Sequence, residues 1–108
     1  MYTSYFAKYK KSNGISIAIS KPNYFNGESY PDLFPKWTFL NKYKEDHNQD
    51  NYIISYYNEV LNLLDPNKVY NDLKNNVLLC WEKSGKFCHR RIVAKWIFDN
   101  LNIKIPEI

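Results

Sequence analysis

Five consecutive apolar residues, Val77-Leu78-Leu79-Cys80-Trp81, lie between the turn-forming pair Asn75-Asn76 and a polar loop. A run this short, with no polar alternation, is how a strand buried on both faces reads. Such a strand belongs at the centre of a parallel or largely parallel sheet, so the chain must supply covering elements for both of its faces. At 108 residues, 44% of them hydrophobic, it has the length and the apolar content for one domain over residues 1–108. The fold class expected is α/β: a compact three-layer domain whose small, mostly parallel or mixed sheet is flanked by helices.

The covering helices are visible as periodic patterns. Ile53, Tyr56, Tyr57, Val60, Leu61 and Leu64 recur at helical spacing, which predicts an amphipathic helix over Tyr52 to Leu64 capped by Asp50 or Asn51. Asp65-Pro66 then supplies an N-cap and a first-turn proline for a second helix running to about Lys74. After the loop Lys83 to Phe87, a last helix carries Ile92, Val93, Trp96, Ile97 and Leu101 on one side, and Ile103 to Ile105 is expected to add an edge strand.

The first half is less regular. Tyr2 to Phe6 and Ile15 to Ser20 are strand candidates, the second alternating Ile15, Ile17 and Ile19 with smaller residues. Asn13-Gly14 favours a hairpin between them, while Ala7 to Ser12 allows a short helical crossover. Both pairings stay open. From Lys21 to Asp50 the chain reads as loop around Pro22, Gly27, Pro31 and Pro35, with a short helix over Lys36 to Tyr43. A loop of this length is either a functional cover or a wall whose aromatics plug the core, and burial habits favour the wall.

Net charge is +4, which suits an anionic partner without identifying one. The placement of the charge says more. The only two arginines, Arg90 and Arg91, are adjacent and close to the apolar strand, and arginine presents a planar fork to a carboxylate or phosphate that lysine lacks. No segment approaches the roughly 18 apolar residues of a membrane span, and the first residues do not read as a signal peptide. A cytoplasmic location is expected, and with it two reduced cysteines rather than a structural disulfide.

A parallel strand that feeds a helix through a short loop puts that loop at the carboxyl edge of the sheet, where open α/β folds bind ligands. Cys88, His89 and Arg90 then stand at the mouth of the last helix, whose free amides and dipole favour an anion, with Lys83, Lys86, Arg91 and Lys95 nearby. A thiol in that setting has its pKa lowered toward neutrality, so Cys88 is the candidate nucleophile and His89 the candidate base. Thr3, Cys80, Glu82, Arg90 and Arg91 are the candidate ligand contacts, with Glu82 also placed to hold Arg90 or His89. Individually each residue also has a structural reading: buried small cysteines, a capping histidine, a solvated lysine face.

Sharper motifs fail on spacing. A Cys-dependent phosphatase needs an arginine six residues after its cysteine, and the counts land on Lys86 and Ala94. Cys80, Cys88, His89 and His47 do not follow a usual zinc-finger spacing, so no metal and no cofactor are expected. There is no glycine-rich phosphate loop, dinucleotide fingerprint or serine elbow.

Leu78-Leu79-Cys80-Trp81-Glu82 with Phe87-Cys88-His89-Arg90, together with Tyr2-Thr3-Ser4-Tyr5-Phe6, Leu33-Phe34-Pro35-Lys36-Trp37 and the Asp65-Pro66 helix pair, resembles the bacterial and phage proteins grouped as domain of unknown function 488. The resemblance spans nearly the whole chain, and the Leu-Leu-Cys-x-Glu and Cys-His-Arg motifs carry it. It implies a compact three-layer α/β fold and supports the site without implying a reaction. Longer members have a full helix between the first two strands. About eight residues are available here, so any role of that helix does not transfer.

The functional expectation is a domain that binds or acts on a phosphate-bearing ligand, a nucleotide or a nucleic acid, at Cys80 to Arg91. The alternative is a non-catalytic interaction protein, of phage origin, that binds a host protein or sequesters a nucleotide. Nucleic acid as main partner draws on Lys8, Lys10, Lys11 and the interleaved tyrosines.

Overall fold

In the computed structural model, which describes residues 1–108, three short parallel strands and four helices form a small α/β domain. The strands are β1 (Tyr2–Tyr5), β2 (Gly14–Ser16) and β3 (Val77–Cys80); the helices are α1 (Trp37–Asp46), α2 (Gln49–Glu59), α3 (Pro66–Leu73) and α4 (His89–Leu101). The sheet order is β1-β3-β2, and β3 is buried along its whole length. Its partners stand in register, Tyr2 to Tyr5 opposite Val77 to Cys80 and Gly14 to Ser16 opposite Val77 to Leu79, so all three strands end at one edge.

Parallel pairing excludes the hairpin. The chain leaves β1 and returns to the start of β2 on the far side of β3 within the eight residues 6–13, too few for a helix with its turns. Gly14 fits this tight return because a Cβ there would stand 2.7 Å from Leu79 Cδ1, inside contact distance.

The two faces of the sheet are covered differently. Leu78 joins Ile15 and Ile17 in a core shared with all four helices, including Phe39, Tyr56, Leu73, Val93 and Ile97. Val77 and Leu79 pack with Phe6, Ala18, Tyr9 and Phe25, residues of irregular segments. The expected outer layer of helix is therefore replaced on that side by loop, for the reason just given.

Several boundaries differ from the sequence expectation. The helix expected over Tyr52 to Leu64 runs from Gln49 to Glu59, because the Asn48 side chain accepts from the Asn51 amide at 3.0 Å and starts it three residues earlier. It stops where Leu61–Leu63 tighten into a 3-10 turn. α3 begins as expected on the Asp65 cap and Pro66. β2 is only three residues long, although burial continues through Ile17 and Ala18. No strand forms at Ile103 to Ile105; the tail meets β1 two residues later, through an isolated parallel bridge between Thr3 and Glu107. No helix is long and apolar enough to cross a membrane.

Candidate functional site

The carboxyl ends of β2 and β3, the start of α4 and the long segment before α2 surround a cleft of about 490 Å³. Its floor holds Cys80 at the end of β3, Cys88 at the N-cap of α4 and His89 in the first turn. Trp37, Tyr43, Tyr52, Trp81 and Phe87 provide aromatic walls, and Lys44, His47 and Glu82 contribute polar groups. The segment Lys21 to Asp50 thus does two jobs. Leu33 and Phe39 plug the core, while Pro35, Trp37 and Tyr43 form one side of the cleft.

Cys80 and Cys88 are joined as a disulfide, which corrects the expectation of two free thiols. The physical reason is tertiary: β3 and α4 are joined by a short loop that folds back, so residues eight apart in sequence bring their sulfurs together. The cysteine sulfurs and a His89 ring nitrogen lie within 4.8 Å of one another. In the disulfide form the sulfurs offer no thiolate to a metal; once reduced, the three atoms can serve as a ligand set.

His89 is buried and its Nε2 lies 2.7 Å from the Ile17 carbonyl oxygen. A carbonyl only accepts, so Nε2 carries the proton and Nδ1 keeps its lone pair, 3.8 Å from Cys88 Sγ. Burial pushes the imidazole down to about 4; the bond to Ile17 opposes this, and the charge on Arg90 adds to it. At neutral pH His89 is therefore an uncharged base beside Cys88. Tyr52 on the wall is held neutral too, since burial raises its pKa.

Arg90, the next residue, turns the other way. It is fully buried, with Nε 3.1 Å and Nη2 2.8 Å from the two Glu107 carboxylate oxygens, and Nη1 3.1 Å from Cys80 Sγ. Glu107, not Glu82, is thus its partner. The same carboxylate accepts from Thr3 Oγ1 at 2.5 Å and Ser84 Oγ at 2.9 Å, and Arg91 Nη1 donates to Thr3 Oγ1 at 2.7 Å. Burial alone would raise the Glu107 pKa, but the hydrogen bonds from Arg90, Thr3 and Ser84 hold it down at about 2.

Of the residues singled out from sequence, Cys80, Glu82, Cys88 and His89 meet at the cleft, whereas Thr3, Arg90 and Arg91 gather around Glu107. β1 does lie beside β3, but Thr3 stands opposite Leu78, below the rim on which Glu82 sits. Sequence reasoning missed Glu107 and the cleft role of Trp37, Tyr43 and Lys44. A lone acid after Pro106 gives no local signal, and the aromatics read equally well as core.

The helix mouth retains two unpaired donors. Cys88 makes no side-chain capping bond, and the amides of His89 and Arg90 have no backbone acceptor. An oxyanion suits such a place.

The chain belongs to the DUF488 family: the family model described as the active DUF488-N3 subclade matches residues 7–101, a stretch that contains all four cleft-floor and rim residues from Cys80 to His89. No curated protein and no solved structure matches the chain.

Proposed function

We propose that this DUF488 domain binds a nucleotide in the cleft at the carboxyl edge of its sheet and acts on it through Cys88 and His89. One observation carries the reading: a buried, uncharged His89 beside Cys88 forms the floor of an aromatic-walled cleft of about 490 Å³, a volume suited to a small ligand. A planar base finds ring faces in Trp37 and Tyr43, and a phosphate finds the free amides of the α4 mouth together with Lys44. Cys88 is the nucleophile, and the His89 Nδ1 lone pair beside it accepts from its thiol and orients it. The disulfide withholds that nucleophile, so the active form is the reduced one, as a cytoplasmic setting would keep it.

Arg90 is not assigned a ligand contact in this reading, because its fork is filled by Glu107. The test is calorimetric titration of the reduced protein with nucleoside monophosphates, and with inorganic phosphate alone. Binding of the nucleotide that exceeds binding of phosphate, and that weakens in Trp37→Ala, is expected. Affinity identical for phosphate and nucleotide would contradict the base-binding role of the walls. A Cys88→Ser variant that binds normally and loses turnover marks an enzyme. One that keeps its full biological effect marks a nucleotide-sequestering protein instead.

A further inference from the structure

The two sulfurs of the cleft floor are chemically unequal. Cys88 borders the cleft with 7% of its surface exposed, and its Sγ faces the lone pair of His89 Nδ1 at 3.8 Å. Cys80 is 1% exposed, and its Sγ receives a hydrogen bond from the Arg90 guanidinium at 3.1 Å. One sulfur has access and a hydrogen-bond acceptor beside it; the other has a fixed cationic donor that favours its thiolate. That division of labour is what a two-step thiol exchange needs: an attacking sulfur that meets the substrate, and a resolving sulfur that stays behind it.

We propose that Cys80 and Cys88 form a reversible dithiol–disulfide centre that reduces low-molecular-weight disulfides, with Cys88 attacking and Cys80 resolving. The proposal rests on the cleft being the site but not on a nucleotide being its ligand. In the reduced form the Cys88 thiol stands against the His89 Nδ1 lone pair and loses its proton to water in the cleft, and the Cys88 thiolate attacks one sulfur of the substrate disulfide. The substrate S–S bond breaks, the first substrate thiolate leaves and is protonated, and a mixed disulfide remains on Cys88. The Cys80 thiolate, held by Arg90, then attacks Cys88 Sγ and expels the second substrate thiolate. One substrate disulfide becomes two thiols, two electrons pass from the protein, and the Cys80–Cys88 bond of this structure is formed. A dithiol reductant resets the pair by entering the cleft at Cys88, with Cys80 as the leaving thiolate. In this scheme Arg90 is a positioning residue, since it acts through the Cys80 sulfur.

The experiment uses fully reduced protein, freed of reductant and mixed with oxidised glutathione in the absence of nucleotide. The reaction is stopped at intervals by acid and iodoacetamide and read by intact mass and peptide mapping. The expected course is a transient adduct of one glutathione on Cys88, followed by the internal disulfide with no adduct. Cys80→Ser should stop at the Cys88 adduct, and Cys88→Ser should react at least tenfold more slowly. The wild-type mapping stands by itself should either variant fail to fold. First adducts on Cys80, stable adducts on both cysteines, or two thiols that resist glutathione because they hold an equivalent of zinc would each overturn the proposal. Failure of nucleotide binding in the calorimetric test leaves this outcome untouched, so the two readings fall separately.

Discussion

His89 and Arg90 are neighbours in the first turn of α4, yet they serve opposite sides of the domain. His89 looks into the cleft, where it is neutral and holds one backbone carbonyl, while Arg90 looks toward the tail, where its charge is matched by Glu107. The cleft side keeps exposed rings such as Trp37 and a volume for a ligand. On the tail side the guanidinium, two hydroxyls and the carboxylate bond to one another, and the guanidinium gives its remaining donor to Cys80 Sγ from behind the cleft floor. Adjacent motif residues therefore need not share one role. The Cys-His half of Cys-His-Arg lines the cleft, and the Arg half holds the scaffold behind it and reaches the cleft only through Cys80.

The tail side is most vulnerable at Glu107. Glu107→Gln removes the charge opposite a fully buried guanidinium, and leaving that charge unmatched should lower unfolding free energy by about 3–5 kcal/mol in denaturant titration. A loss below about 1 kcal/mol, the level of an exposed pair, would show that the tail network is not what holds α4.

Acid should remove the stabilising contributions of the two sides in sequence. The ordinary pKa of 6.5 for His89 falls to about 4 on folding, so between these values the unfolded chain binds a proton that the native state refuses. Stability from this group is fully present above 6.5 and drains as pH falls toward 4, about 3 kcal/mol in all. Glu107, held down at about 2 from 4.5, keeps its contribution above 4.5 and loses it as pH falls below that. Denaturant melts across pH should show the upper window disappear in His89→Gln, whose amide can still donate to Ile17, while the lower window persists. An unchanged upper window would place the titrating group elsewhere.

Much of this arrangement was legible in the chain. The run Val77 to Trp81 announced a buried central strand because five apolar residues leave no polar face, and Asp65-Pro66 announced α3 because cap and proline act locally. The parallel placement of β1 and β2 on either side of β3 was not legible, since Asn13-Gly14 is locally a hairpin signal and the strand that separates them, β3, lies about sixty residues further on. Cys80, Glu82, Cys88 and His89 were found as a cluster because loop and helix mouth are contiguous. The partner of Arg90 was not, because Glu107 reaches it through a tail bridge to β1 rather than along a helix or loop.

Arg90→Lys probes the same contrast at smaller amplitude. It keeps the charge but not the fork, so it should cost roughly 1–3 kcal/mol of stability, the worth of charge-assisted hydrogen bonds, while nucleotide affinity stays unchanged. Parallel thermal melts and calorimetry on this variant separate the two effects. Trp37→Ala should do the converse. Its ring is 51% exposed, so stability should shift by no more than about 0.5 kcal/mol, while base binding weakens by roughly 1–3 kcal/mol.

Ligand and nucleophile meet in one measurement: the rate at which iodoacetamide alkylates Cys88 in the reduced protein, with and without a nucleoside monophosphate. Cys88 lies on the cleft floor, so a nucleotide seated between the aromatic walls must cover it. Alkylation should slow as nucleotide is added, with a midpoint equal to the calorimetric dissociation constant, and Trp37→Ala should shift that midpoint upward. Alkylation of Cys88 at an unchanged rate while calorimetry reports bound nucleotide would contradict the cleft as the binding site, placing the ligand outside it.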